Sequence, residues 1–228
     1  MTFSDKRIEA LSIDCVIFGF KKGELNVLLV KHKKGLSKGN WGLPGSWIQY
    51  NESIDEAASR ILVSQTSVGD IYLEQIYTFG KVKRFPSKRV ITVAYFALVK
   101  IDKFNLNPGP DILDVSWFNV SSIPKLIFDH TQIFNKCFDF LRHKIQHESI
   151  GFNLLPPKFT LLQLQELYEA VLQQKLDKSN FRRKLLKMNL LIDTNEKQEK
   201  VSHRAAKLYC FNEKLYSDLK EKGFIFKV

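Results

Sequence analysis

Residues 42–68 read GLPGSWIQYNESIDEAASRILVSQTSV, and they are the most informative part of the chain for its architecture. Its second half predicts a helix that begins at Ser53, because Ser53 and Glu56 have the spacing of a capping box. The apolar residues that follow recur with helical period: Ile54, Ala57, Ala58, Ile61 and Leu62. We expect this helix to follow a glycine-rich loop and to end near Thr66.

Strand-like segments surround this helix on both sides. Two segments rich in Val, Ile, Leu and Phe, 11–20 and 25–31, are separated by Lys21-Lys22-Gly23-Glu24 and predict a hairpin. The residue types predict further strands over 71–79, 90–100 and 115–120, and apolar spacing predicts a second helix over 131–147. Strands and helices do not alternate strictly, which indicates an α+β or α/β domain built on a mixed sheet.

The stretch 42–68 also resembles the sequence box of the Nudix family. Aligned on Glu52 and Arg60, the chain keeps both of these residues together with Leu62 and Val68. Two glycine positions of the box hold Ser46 and Ser67, and three glutamate positions hold Ile61, Ser64 and Gln65. The resemblance implies a Nudix-like mixed-sheet α/β/α sandwich.

The three replaced glutamates determine whether metal-dependent hydrolysis is expected of this box. Positions 61, 64 and 65 share one helical face, and in the Nudix family carboxylates on that face hold Mg²⁺ against a diphosphate. Ile, Ser and Gln supply no negative charge, so we expect no enzymatic activity, no catalytic or metal-binding residue and no cofactor. Arg60 is expected to pair with Glu52 and hold the loop. The alternative is a Nudix-type nucleoside-diphosphate or ADP-ribose hydrolase with divergent metal ligands.

The composition changes near Pro156-Pro157, and we predict a domain of residues 1–150 followed by one of residues 151–228. Thr160 begins a second capping box before an amphipathic helix, and Asp177 is placed to cap a basic helix. Two short strand-like segments, 190–194 and 207–211, follow. Helix, turn, basic helix and hairpin is the order of a winged helix-turn-helix domain.

The charge of the chain favours an anionic partner. The formal net charge is +11, and residues 151–228 alone hold 15 basic and 9 acidic side chains, a net +6. The exposed part of the basic helix and the wing therefore predict binding to double-stranded DNA. The predicted DNA-binding residues are Lys178, Ser179, Asn180, Arg182, Arg183, Lys187, His203 and Arg204.

Residues 79–98 and 150–184 extend the resemblance to one Nudix subgroup, the Nudix-related transcriptional regulators. Arg84, Pro86 and Arg89 match that subgroup, as does the run Phe181-Arg182-Arg183-Lys184. The resemblance implies a homodimer whose Nudix-like domain binds a small effector and whose winged helix binds an operator. The effector would be ADP-ribose or a pentose such as arabinose, and the run Glu-Ser-x-Asp-x-Ala-Ala with the linker IGFNLLP is closer to the pentose group, which controls sugar metabolism.

The cleft beside the box helix and the 80–95 loop is where the resemblance places the effector. Its predicted contacts are Gln49, Glu52, Arg60, Glu74, Arg84 and Arg89. A sugar- or nucleotide-binding module without DNA affinity remains a third possibility. The sequence leaves open the effector, the operator, the direction of regulation and the dimer interface.

Three widely spaced cysteines without a Cys-x-x-Cys pair argue against a disulfide framework and a zinc site. No leader pattern and no apolar run long enough to span a bilayer is visible. We expect a cytoplasmic protein without a membrane partner.

Overall fold

A β-hairpin opens the described part of the computed structural model, which covers residues 10–199, 205–224 and 226. Its strands are β1 (Ala10–Lys21) and β2 (Glu24–His32), each one residue longer at both ends than predicted. Lys22 and Gly23 form the turn with φ of 52° and 80°. A two-residue hairpin turn of type I′ requires positive φ at both positions, so the predicted hairpin is confirmed.

This hairpin forms the centre of a mixed sheet. The other strands are β3 (Trp41–Gly42), β4 (Gly45–Trp47), β5 (Glu74–Phe79), β6 (Val90–Val99) and β7 (Ile112–Asn119). The strand order is β3-β2-β1-β6-β5, with β4 paired to β1 and β7 paired to β2. β1 and β6 run parallel, with Ala10 opposite Val90 and Gly19 opposite Val99, whereas the other pairs are antiparallel. The two short strands β3 and β4 lie in the segment predicted as a loop.

Helices cover both faces of this sheet. α1 (Ile54–Thr66) buries Ala58 and Ile61 in one cluster with Ile13 of β1. On the other side of β1, the ring of Phe18 lies 5.8 Å from those of Phe134 and Phe138, which belong to α2 (His130–His147). Side chains alternate across a strand, so α1 and α2 pack on opposite faces. The predicted α/β/α sandwich is confirmed.

The C-terminal part has the element order of a winged helix. It contains α3 (Leu161–Leu172), α4 (Lys178–Lys187), β8 (Leu191–Lys197), β9 (Lys207–Phe211) and α5 (Glu213–Glu221). α3 has the predicted capping box and α4 the predicted Asp177 cap. α5 was not predicted, because its sequence is mostly polar, although Asn212 caps it by accepting from the Leu215 N–H.

The described residues divide into two units, one within 1–19 and 26–140 and the other within 20–25 and 141–228. Tyr168 and Phe181 pack at 5.2 Å between ring centroids and join α3 to α4 in the second unit. Phe152 stacks on Phe211 at 4.0 Å in the same unit. Within the described ranges, no helix is both long and apolar enough to cross a membrane.

Candidate functional site

Arg60 and Glu52 fasten the loop that precedes α1. The Arg60 guanidinium donates from Nε and Nη2 to the two Glu52 carboxylate oxygens, each at 2.6 Å. Glu52 also accepts from the Gln49 backbone N–H at 2.7 Å, and Arg60 Nη2 donates to the Trp47 carbonyl at 3.0 Å. The Arg60 guanidinium holds the pKa of the Glu52 carboxyl below its usual range. The structure confirms that this pair holds the loop.

The three box positions that lack glutamate have other contacts. Ile61 is fully buried in the core beneath α1. The Ser64 hydroxyl donates to the Ile61 carbonyl at 3.0 Å. The Gln65 side-chain amide accepts from the Gly45 N–H at 3.0 Å and donates to the Gly45 carbonyl at 2.9 Å. The neutral amide of Gln65 thus ties α1 to β4.

A buried group of charged side chains lies on the other side of β1. The Arg84 side chain is 4% exposed, and its Nε and Nη2 donate to both Asp129 oxygens at 2.9 and 2.8 Å. Its Nη2 also lies 3.5 Å from Asp14 Oδ2, which accepts from the Thr92 hydroxyl at 2.8 Å. Two carboxylates therefore face one guanidinium.

His130 completes this group without adding a charge. Its Nδ1 accepts from the Leu43 N–H at 3.0 Å, so the neutral ring carries its proton on Nε2, which lies 3.5 Å from Asp14 Oδ1. Burial lowers the pKa of His130 despite the neighbouring carboxylates. Burial also lowers the pKa of His32, the next histidine along the cavity wall. Both rings are neutral near pH 7.

These residues border a cavity of about 310 Å³ within the first unit. Its buried lining includes Asp14, Arg84 and His130, and its outer lining includes Trp47 and Phe128. Gly45 and Gln65 also line the cavity, and both belong to the Nudix-like box, so the cavity lies beside that box. The volume reaches the lower end of the range for small-molecule sites.

The six predicted effector contacts, all within the described residues, do not share one site. Arg84 alone among them lines the cavity. Gln49, Glu52 and Arg60 form the loop contact described above. Glu74 lies at the start of β5 opposite Phe96, and Arg89 directly precedes β6.

Sequence reasoning missed Asp14, His32, Asp129 and His130. A usable signal was present for Asp14, which is the only charged residue between Leu11 and Phe20, in an otherwise apolar strand. A charged residue within a buried strand needs a partner, and Arg84 and Asp129 come from loops far along the chain. Their meeting follows from the sheet topology, which sequence spacing does not reveal.

α4 presents a basic surface in the second unit. Asp177 Oδ1 accepts from the Asn180 N–H at 2.7 Å and caps the helix, while Phe181 and Leu185 are buried and anchor it. Most of the predicted DNA-binding residues on this helix are exposed: Lys178, Ser179, Asn180, Arg183 and Lys187. Arg182 is half-buried, and its Nε is buried without a hydrogen-bond partner among the described residues.

The hairpin β8–β9 supplies the wing. Asp193 pairs with Lys207 across it at 2.7 Å, and Lys158 pairs with Glu196 at 2.6 Å. The Lys207 ammonium holds the pKa of the Asp193 carboxyl below its usual range. The other two predicted DNA contacts, His203 and Arg204, lie outside the described residues.

Comparisons with known proteins agree with both units. The model of the NUDIX domain matches residues 9–137, and that of the NrtR DNA-binding winged helix domain matches residues 151–211. The ADPR responsive transcriptional repressor NtrR of Acinetobacter baylyi is 30% identical over 213 residues, covering 91% of this chain and 84% of that protein.

Two solved structures of NrtR from Shewanella oneidensis are also similar. The protein complexed with a 27mer DNA is 31% identical with a TM-score of 0.70, covering 88% of this chain and 93% of that chain. Its NUDIX domain complexed with ADP ribose is 29% identical with a TM-score of 0.56, covering 61% and 94%.

Fold and sites together define a protein with an N-terminal Nudix domain and a C-terminal winged helix. The chain belongs to the NrtR family of Nudix-related transcriptional regulators. The family resemblance noted from the box and from the C-terminal motifs is thereby confirmed.

Proposed function

We propose that this protein is a DNA-binding transcriptional regulator whose Nudix domain binds ADP-ribose and thereby controls operator binding by the winged helix. The observation that carries the proposal is α4, which is capped by Asp177, anchored by Phe181 and Leu185, and basic on its exposed face. Lys and Arg on such a helix neutralise phosphates, and Arg also reads guanine edges in the major groove.

The box helix supports the proposal of a regulatory rather than enzymatic role. Ile61 is in the core, and the Gln65 amide is bound to the Gly45 backbone. Neither position offers a carboxylate to Mg²⁺, which requires oxygen ligands and favours charged ones. We therefore propose that the Nudix fold serves ligand binding in this chain.

ADP-ribose is the effector that the relatives favour. The Acinetobacter protein is described as ADPR responsive, and the Shewanella NUDIX domain was crystallised with ADP ribose. A free pentose remains the second candidate, since neutral His32 and His130 beside Asp14 suit hydroxyl groups. We also propose a homodimer, because two winged helices would read two half-sites of one operator.

The test is DNA binding by the full chain, measured by fluorescence anisotropy with fragments upstream of its own gene cluster. Wild type is expected to bind one fragment, and ADP-ribose is expected to change that affinity at least 10-fold. Arg182→Ala with Arg183→Ala should weaken binding about 100-fold, since each arginine base contact contributes about 1–3 kcal/mol.

The matched control is Lys214→Ala with Lys220→Ala, which removes the same charge from exposed positions of α5. This control should bind almost as wild type does. Absence of binding to every neighbouring fragment would contradict the regulatory role. Hydrolysis of ADP-ribose with Mg²⁺ would instead support the alternative of a Nudix hydrolase with divergent metal ligands.

A further inference from the structure

The last turns of α2 carry two histidines on one side of the helix. His143 and His147 are four residues apart, and both are exposed. Residues at this spacing lie one above the other on a helix surface. Their rings stack with centroids 4.4 Å apart and an angle of 23° between the ring planes. The pair belongs to the second unit, whereas the cavity described above lies in the first.

The backbone holds the His147 ring in a defined tautomer. His147 Nδ1 lies 2.8 Å from the His143 carbonyl oxygen. A carbonyl oxygen only accepts, so Nδ1 donates its proton, and the neutral ring leaves the lone pair of Nε2 free. Metal-binding histidines in proteins have this arrangement, in which the second ring nitrogen donates to a carbonyl or a carboxylate.

The distance between the two rings suits a single metal ion. Imidazole nitrogens bind Zn²⁺ at about 2.0–2.1 Å, so two nitrogens on one ion are at most about 4.2 Å apart. The separation of the ring centroids, 4.4 Å, is close to that limit. Small rotations of two exposed side chains therefore bring one nitrogen of each ring onto a common ion.

The residues between and beside the histidines hold the backbone of this turn. Ile145 is fully buried. Arg142 Nε donates to the Val171 carbonyl of α3 at 3.4 Å. A backbone that is fixed before the ion arrives keeps both ligands in place and lowers the entropy lost on binding.

The surroundings of the pair are compatible with a cation. The pair lies at the C-terminal end of α2, where the helix dipole favours positive charge. The ammonium of Lys144, between the two histidines, lies 3.7 Å from the Glu148 carboxylate, which offsets part of its charge. Within the described ranges, no group of three or more His, Cys, Asp or Glu side chains could hold a metal. Any ion at this helix end therefore has two protein ligands, and water completes its coordination.

We propose that His143 and His147 form a two-histidine site for a divalent transition metal ion such as Ni²⁺ or Zn²⁺, which imidazole ligands favour. Each ring supplies one nitrogen. The bound ion links two successive turns at the end of α2 and stabilises the folded state, because the site exists only when the helix is formed. The proposal is independent of effector binding and of DNA binding by this protein.

The test is isothermal titration calorimetry of the untagged full chain with Ni²⁺. Ni²⁺ is the better probe, because Zn²⁺ also binds thiolates and Cys210 is a free, half-buried cysteine. Wild type is expected to bind Ni²⁺ at this site. His143→Gln and His147→Gln are each expected to weaken that binding about 10- to 100-fold, because the second ligand no longer adds its high effective concentration.

A histidine swap is the matched control. His143→Gln with Gln146→His keeps the composition of the helix but places the histidines at adjacent positions, where they do not face one ion. This variant should bind Ni²⁺ as weakly as the single variants do. Thermal unfolding followed by circular dichroism is the second readout, in which Ni²⁺ should raise the melting temperature of wild type much more than that of the swapped variant.

The affinities of the four proteins decide the outcome. Without metal they should unfold alike, because the changed side chains are exposed or half-buried and Gln and His are both tolerated in a helix. The inference is overturned if wild type does not bind Ni²⁺ or if either single variant binds it as tightly as wild type. Equal binding by wild type and the swapped variant would also overturn it, since the spacing of the histidines would then have no effect.

Discussion

Arg84 belongs both to the buried cluster of charged side chains and to the wall of the cavity. It neutralises part of the charge of Asp14 and Asp129 and also lines the cavity. A buried ion pair adds little stability compared with apolar packing, but removal of one partner leaves an uncompensated charge in the interior. The cluster of Arg84, Asp14 and Asp129 therefore fixes the shape of the cavity. Removal of one member is expected to lower the free energy of unfolding by a large amount.

We predict that Arg84→Met destabilises the Nudix unit by about 3–5 kcal/mol, because two buried carboxylates lose their common partner. Urea unfolding followed by tryptophan fluorescence measures this directly, since Trp41, Trp47 and Trp117 all lie in that unit. Arg89→Met is the matched control and should cost less than about 1 kcal/mol, because Arg89 Nη1 lacks a hydrogen-bond partner in the described structure. Equal losses in both variants would show that the cluster has no special role.

At the level of elements, α1 keeps the caps and loop contacts of a Nudix-like box helix, while positions 61, 64 and 65 hold Ile, Ser and Gln. Its capping box and the Arg60–Glu52 pair hold the same loop that carries Trp47. The helix ends at Thr66, and the C-cap residue Ser67 has φ of 62°. Ser67 occupies one of the two box positions where the Nudix pattern has glycine, the residue for which this conformation carries no steric cost.

Ser67→Gly should therefore stabilise the Nudix unit by about 1 kcal/mol, because it relieves left-handed strain at the end of α1. Ser64→Gly, three residues earlier within the helix, is the paired control and should destabilise by about 0.5 kcal/mol. Thermal unfolding monitored by tryptophan fluorescence gives both values. A lower melting temperature for Ser67→Gly would mean that its hydroxyl contact to the Asn107 carbonyl outweighs the strain.

Helices and strands with strong apolar periodicity or with capping residues could be predicted from the sequence. Sites assembled from distant parts of the chain could not. α1, α3 and α4 begin at the capping residues Ser53, Thr160 and Asp177 because caps are local signals. β3 and β4 hold two and three residues, too few for a period to show. The Glu52–Arg60 pair spans eight residues and was foreseen, whereas Asp14, Arg84 and Asp129 are brought together by tertiary structure alone.

Across the whole molecule, charge is divided unevenly along the chain. Residues 151–228 carry a net +6 of the total +11, in about a third of the length. Part of that charge is neutralised locally, as in the Lys207–Asp193 and Lys158–Glu196 pairs of the wing. The exposed face of α4 adds Lys178, Arg183, Lys184 and Lys187 to the basic surface of the second unit.

We predict that Lys178→Ala with Lys187→Ala lowers the salt dependence of DNA binding. Each phosphate contact adds about 0.9 to the slope of log K against log salt, so the slope should fall by about 2. Anisotropy titrations at salt concentrations between about 50 and 200 mM measure the binding constant K, and a plot of log K against log salt gives the slope. The charge-matched Lys214→Ala with Lys220→Ala should leave it unchanged, and an equal fall in both variants would assign the effect to net charge instead of to α4.

The parallel pairing of β1 with β6 has a consequence for how the chain folds during synthesis. β1 is the central strand of its sheet, yet its partner for Ala10 is Val90 and for Gly19 is Val99. Contacts that distant close slowly, because the intervening loop loses entropy before any pairing is gained. The apolar β1–β2 hairpin therefore lacks its parallel partner strand until β6 has emerged from the ribosome. In the C-terminal unit the strands β8 and β9 lie close together in the chain, so this hairpin can form soon after it is synthesised, whereas the stacking of Phe152 on Phe211 needs most of the unit.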